Sequence, residues 1–159
     1  MKKKLLFFLL LLLGINVSAQ TIEKVYHFDN PKVKEVMGYH QIYFNECMQL
    51  GEIGNPSLPY YSVRLLLPQG SEASSVDIYF SDYVEMEGEY NLFPVQQAVP
   101  YSRPDMYKFS KNKDIYSSKS VYPSESHTEV TTQYLNGYAF AFLNFTPLQY
   151  VPSTGKVMY

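Results

Sequence analysis

The sequence predicts an all-β protein: an antiparallel, sandwich-like domain with one long Pro- and Lys-containing connection, preceded by an export signal. Three observations carry that expectation. Several stretches alternate apolar and polar residues and are broken by Gly, Pro and Asn. The chain has 16 Tyr and 10 Phe but no Trp, and tyrosine suits a pleated surface that is packed on one side and wet at its rim. No long stretch carries a helical period, so many short strands with little helix point to a sandwich or related antiparallel fold.

The first nineteen residues read as a leader. "MKKK" is a cationic start, residues 5–13 form an apolar core, and Val17, Ser18 and Ala19 supply the small residues a signal peptidase reads. Cleavage is expected between Ala19 and Gln20. The apolar run is about half of the ~20 residues a spanning helix needs, so no membrane anchor is expected after leader removal. The expected division is a signal peptide over 1–19 and a β-rich domain over 20–159. Without Lys2, Lys3 and Lys4 the remaining chain carries an excess of acidic residues, which disfavours nucleic acid and anionic membranes as partners. Cys47 is the single cysteine. An exported chain with one thiol has no internal disulfide framework and depends on packing.

Residues 31–37 read as strand or loop, and 39–46, "YHQIYFNE", as a strand. Residues 61–68 follow, with Val63, Leu65 and Leu67 on one face. Residues 74–82 alternate cleanly, with Val76, Ile78 and Phe80 inward and Asp77 and Tyr79 outward. Residues 83–92 alternate too, which predicts two strands joined tightly near Ser81 and Asp82. From Phe93 to Thr132 the pattern fades. Pro94, Pro100, Pro104 and Pro123 punctuate a connection of 35–40 residues, with one short element expected near Val121. Connections that long inside a compact domain usually mean function or disorder. Residues 138–145 are apolar on both faces and read as a central, doubly covered strand. Pro147 stops it, 151–156 turn, and "KVMY" begins another strand. A chain that stops there reads as the front of a longer protein.

No catalytic set emerges. Cys47 has neither a helix start nor a Gly-rich nucleophile turn beside it. His27, His40 and His127 form no pair at ligand spacing, so no metal is expected, and no cofactor. Glu85, Glu87 and Glu89 alternate along one stretch and read as a solvated sheet face. The tyrosines could stack on sugars, although the missing Trp weakens that reading. The Pro-rich connection is the basic part of the chain, and its recognition candidates are Arg103, Lys108, Lys111, Lys113 and Lys119.

Two motifs add a resemblance. In "GNPSLPYYSVRLLLPQG", Gly54, Pro56, Leu58 and Pro59 form a Gly-x-Pro-x-Leu-Pro segment that runs into an apolar strand closed by Pro68 and Gly70. In "FTPLQYVPSTGKVMY", Pro147, Gln149, Tyr150, Pro152, Thr154, Gly155 and Lys156 form a second pattern. Both, in this order behind a leader, resemble the propeptides of gingipain-type cysteine peptidases secreted by Bacteroidetes. The resemblance implies a β-rich domain that assists the folding of a downstream caspase-like domain and blocks its cleft. It implies that the catalytic Cys and His lie in that absent domain, so Cys47 is not the nucleophile. It further implies a loop presenting a basic residue to the enzyme's specificity pocket, and the connection from Arg103 to Lys119 is where such a loop is expected. The partner is then the cognate peptidase domain, and the destination the cell surface or beyond, by way of the periplasm. The competing reading is a free-standing exported β-sandwich that binds a glycan or a protein at the cell surface.

Overall fold

A computed structural model describes residues 20–159; the expected leader over 1–19, with Ala19, lies outside them, and Gln20 is exposed at their start. Eight strands follow: β1 (Lys32–Val36), β2 (Tyr39–Tyr43), β3 (Met48–Leu50), β4 (Leu58–Leu66), β5 (Thr131–Leu135), β6 (Tyr138–Phe145), β7 (Gln149–Val151) and β8 (Lys156–Met158). One short helix, α1 (Lys113–Tyr116), and a 3-10 turn at Pro104–Met106 lie between β4 and β5. Every ladder is antiparallel: a hairpin of β1 and β2, a four-stranded sheet in the order β3-β4-β6-β5, and a hairpin of β7 and β8. The all-β, antiparallel expectation therefore holds.

The core has two clusters. Ile42, Phe44, Leu58, Leu92, Leu148, Tyr150 and Val157 form one; Val63, Leu143 and Phe145 form the other. Burying each such aliphatic side chain contributes about 1.5–3 kcal/mol. Phe28 touches both clusters. It packs edge-on to Phe44, Tyr61 and Phe145 at 5.5, 5.7 and 5.8 Å between ring centroids. Tyr26 joins the same group, 5.1 Å from Tyr61. Residues 20–31 belong to no strand; aromatic edges and a hydrogen bond from the Tyr159 hydroxyl to Asn30 Oδ1 at 2.7 Å hold them to the fold.

Four expectations are corrected. Residues 74–92 do not form a hairpin. Val76, Ile78 and Phe80 do point inward, onto the second cluster, but this segment has no ladder. Residues 84–86 instead bond to the chain's last residues: Val84 exchanges backbone bonds with Tyr159, and Met86 N–H donates to Val157. Second, β6 is central but not doubly covered. Ala139, Ala141, Leu143 and Phe145 are buried, whereas Phe140 and Phe142 are half-buried and Tyr138 is exposed. Third, the connection's short elements are the 3-10 turn and α1 rather than one element near Val121, where Tyr122 makes only an isolated bridge to Tyr150. Fourth, β4 starts at Leu58, so it contains Pro59. There it pairs only with β3, because the β6 ladder begins at Tyr61, and the missing N–H of proline breaks no bond to β6.

Candidate functional site

The proline motif and the long connection meet. Gly54 N–H donates to the Val95 carbonyl and Val95 N–H to the Asn55 carbonyl, at 2.8 and 2.9 Å, while Ser57 N–H donates to Phe93. Residues 93–95 thus run antiparallel to residues 54–57, with an isolated bridge between Pro56 and Pro94. The connection returns to the same place. Asn112 N–H donates to the Gly54 carbonyl at 2.8 Å, and Asn112 Nδ2 donates to Asn55 Oδ1 at 2.9 Å. Gly54 has φ +86°, and a Cβ there would lie 3.0 Å from Ser110 Oγ and 3.3 Å from Asn112 N. Only glycine combines that backbone with so close an approach. Pro56, Leu58 and Pro59 are almost fully buried, which fixes this platform against the core.

Between its two fastenings the chain makes a closed loop, residues 97–109. Its backbone bonds are its own: Arg103 N–H to Pro100, Met106 N–H to Arg103 and Tyr107 N–H to Pro104. Its neck is held by Gln96. The side-chain oxygen accepts from Ser110 N–H at 2.9 Å, and Nε2 donates to the Ser110 carbonyl at 2.8 Å. At the foot, Phe109 packs against Tyr39 and Phe93. Above the neck, Tyr101 is fully exposed and Met106 half so.

The five basic candidates separate. Arg103 sits midway along the loop, its guanidinium doubly bonded to Asp105 at 3.1 Å, which raises the arginine's pKa and lowers the carboxyl's. Lys108 is exposed beside the packed Phe109. Lys111 is turned back onto the fold, 4.1 Å from the Tyr116 ring centre and 4.9 Å from that of Tyr39, a cation–π arrangement. Lys113 opens α1, whose N-cap Asn112 accepts from Asp114 and Ile115 N–H. Lys119 is exposed after that helix. Arg103 and Lys108 thus lie on the loop, and Lys111, Lys113 and Lys119 lie beyond its neck.

The second motif builds the opposite end. Pro147 is buried before β7, and Tyr150, fully buried, donates its hydroxyl to the Tyr90 carbonyl at 2.9 Å. Gln149 Nε2 donates to the Tyr83 hydroxyl. Buried Pro152 begins the turn, and Thr154 Oγ1 and Gly155 N–H both donate to Val151. Lys156 pairs with Glu85 at 2.8 Å. Pro68 and Gly70 lie in the exposed turn after β4, where Ser71 N–H donates to Pro68.

Nothing here activates a nucleophile. Burial and the neighbouring Glu46 push the Cys47 thiol up to about 11, away from the thiolate that chemistry needs. His40 Nδ1 accepts from Asn91 N–H. Among the described residues no three His, Cys, Asp or Glu side chains cluster as metal ligands, and no helix is long and apolar enough to cross a membrane. The neck residues Gln96 and Ser110 were not visible in the sequence; Asn112, preceding "KDIY", carried a readable N-cap signal.

Comparison with known proteins bears on the fold and the family. The fold is similar to the complex of the pro- and mature domains of RgpB from Porphyromonas gingivalis, with TM-score 0.68 and 21% identity over 84% of this chain and 71% of that one. It is similar also to a structure addressing the zymogenic latency of gingipain K from Porphyromonas gingivalis, with TM-score 0.60 and 20% identity over 80% of this chain and 74% of that one. No curated protein sequence matches. The Propeptide_C25 family matches residues 14–159, and so the chain belongs to that family, the gingipain-type propeptides that its two motifs resemble.

Proposed function

We propose that this chain is exported, freed of its leader between Ala19 and Gln20, and serves as the inhibitory and folding-assisting pro-region of a gingipain-type cysteine peptidase. The observation that carries the reading is the closed loop 97–109. It stands out from a proline-fixed platform and offers a basic side chain at its middle. Arg103 is the residue we assign to the enzyme's specificity pocket. It lies at the loop's midpoint, whereas Lys108 sits at the foot beside packed Phe109. The bond that follows Arg103 leads into Pro104, a tertiary amide with no N–H and a ring crowding the nitrogen that must leave. A basic side chain seated there is bound like a substrate while the bond after it resists cleavage. In the complex, Arg103 exchanges Asp105 for an acidic group of the pocket.

The test is titration of the chain against the gingipain-type peptidase of the organism that makes it; reading the DNA beyond the Tyr159 codon shows whether that enzyme shares the frame. Inhibition is expected, and Arg103→Ala should weaken it by roughly 2 kcal/mol or more, as for a buried charged anchor. Lys108→Ala should cost less. If no substitution among Arg103, Lys108, Lys111, Lys113 and Lys119 alters the inhibition constant, the loop is not the inhibitory element.

A further inference from the structure

We infer that Gln96 is a positioning residue: its side chain closes the neck of loop 97–109 and so delivers the loop to the peptidase in its binding conformation. The inference rests on the inhibitory reading above and specifies how that site is prepared. The Gln96 amide joins the two legs as a backbone pair would. It takes the Ser110 N–H at 2.9 Å and gives a hydrogen to the Ser110 carbonyl at 2.8 Å. The same Nε2 also lies 2.9 Å from the Pro94 carbonyl and 3.2 Å from that of Val95, so the side chain is held down on its own leg while it grips the other. Below this contact both legs rest on Gly54 and Asn55, through Val95 on one side and Asn112 on the other. Above it, the backbone of residues 97–109 bonds only in the local turns described, and Phe109 alone rests its ring on Tyr39 and Phe93. Gln96 is the last hydrogen-bonded tie between the two legs before the loop.

A loop of this length has many conformations when its ends can part, and the enzyme binds only the competent fraction. The apparent affinity falls in proportion to that fraction. The amide serves this purpose without adding contacts to the enzyme. Asn112 and the platform fix where the loop stands, while Gln96 fixes how its two legs face each other. No charge is involved, so the device does not depend on salt in the way an ion pair would.

The test uses the full exported chain with Gln96→Met, which keeps the length and loses the hydrogen bonds, and Gln96→Ala as a second variant without added bulk. Three quantities are read: exchange of the Ser110 amide hydrogen, the melting temperature, and inhibition of the source organism's gingipain-type peptidase. Ser110 should lose its protection and the melting temperature should move little. Inhibition should weaken about tenfold, with the association rate carrying the loss. If the wild-type chain inhibits and both variants inhibit equally well, Gln96 does not position the loop, and the inhibitory reading stands. If Ser110 stays protected in both variants, the neck is closed by other groups and the inference is overturned. If the wild-type chain itself does not inhibit, the inhibitory reading fails and takes this one with it. An inhibition loss matched by an equally large fall in global stability would make Gln96 a structural residue only.

Discussion

Gly155 shows how much a single position in a motif can determine. It has φ +71°, and a Cβ there would lie 2.8 Å from the Tyr90 nitrogen and 3.1 Å from its carbonyl oxygen. Tyr90 N–H donates to the Gly155 carbonyl at 2.8 Å, so the two backbones are pinned against each other and neither can yield. Gly38, in the turn between β1 and β2, has a similar φ of +77° but open space around it. Gly38→Ala should therefore lose only the left-handed penalty, about 1–2 kcal/mol. Gly155→Ala should lose that and the contact, roughly 3 kcal/mol or more in total, with a correspondingly larger drop in melting temperature. Equal losses in thermal unfolding of the two variants would remove the contact argument. The sequence showed that Gly155 belongs to a turn. It could not show that residue 90, from a distant stretch, approaches it. Lys111 carries the same lesson with the opposite sign: it reads as a free cation on a basic loop, but two tyrosine rings hold it.

At the scale of elements, the inward and outward faces were legible and the pairing was not. Residues 76, 78 and 80 point to the core as their alternation requires. An extended backbone of any kind has that period of two, because successive side chains leave opposite sides. Which strand lies alongside is a question of distant sequence, and here residues 84–86 chose the chain's last residues over their own neighbours. For β6 the ambiguity was chemical. A run apolar on both faces predicts cover on both, yet the side bearing Tyr138, Phe140 and Phe142 is only partly shielded, with Arg64 lying 5.4 Å from the Phe142 ring centre. The Asn136-Gly137 pair between β5 and β6, with φ values of 51° and 82°, is a hairpin signal that the reading of this region left unused. β5 was therefore not anticipated, and its first residues fell inside the expected connection. The loop was visible as a composition, while its closure by Gln96 depends on a side-chain amide that no local pattern marks. Substitution tests the unladdered cover directly. Ile78→Ala should cost about 1–2 kcal/mol for a half-buried side chain, and Tyr79→Ala, at an 89% exposed position, no more than about 0.5 kcal/mol. Denaturant unfolding that gave both the same cost would mean residues 76–80 do not cover the sheet.

The whole molecule is held together without a disulfide among its described residues, since Cys47 is a free thiol, and much of its packing is phenolic. That choice has a consequence in alkali. Burial raises the Cys47 thiol to about 11 and the Tyr122 hydroxyl to about 12, and it raises Tyr60, Tyr116 and Tyr150 as well. These groups are neutral in the folded chain and would be easier to ionise once unfolded, where the thiol titrates near 9 and the phenols near 10. A folded-state pKa above the unfolded value means the contribution is complete below the unfolded pKa and is lost as pH rises through the folded one. The chain should therefore keep its stability up to about pH 9, lose it progressively between about 9 and 12, and do so cooperatively, because ionising one core tyrosine admits water to the next. Melting temperature followed across this range, together with tyrosinate absorbance, checks it. Tyrosinate from the buried set, Tyr60, Tyr116, Tyr122 and Tyr150, should appear only as the fold is lost. A single early phase covering all the tyrosines, with no loss of structure, would mean that the hydroxyls are wet and that the aromatic core does not depend on their staying neutral.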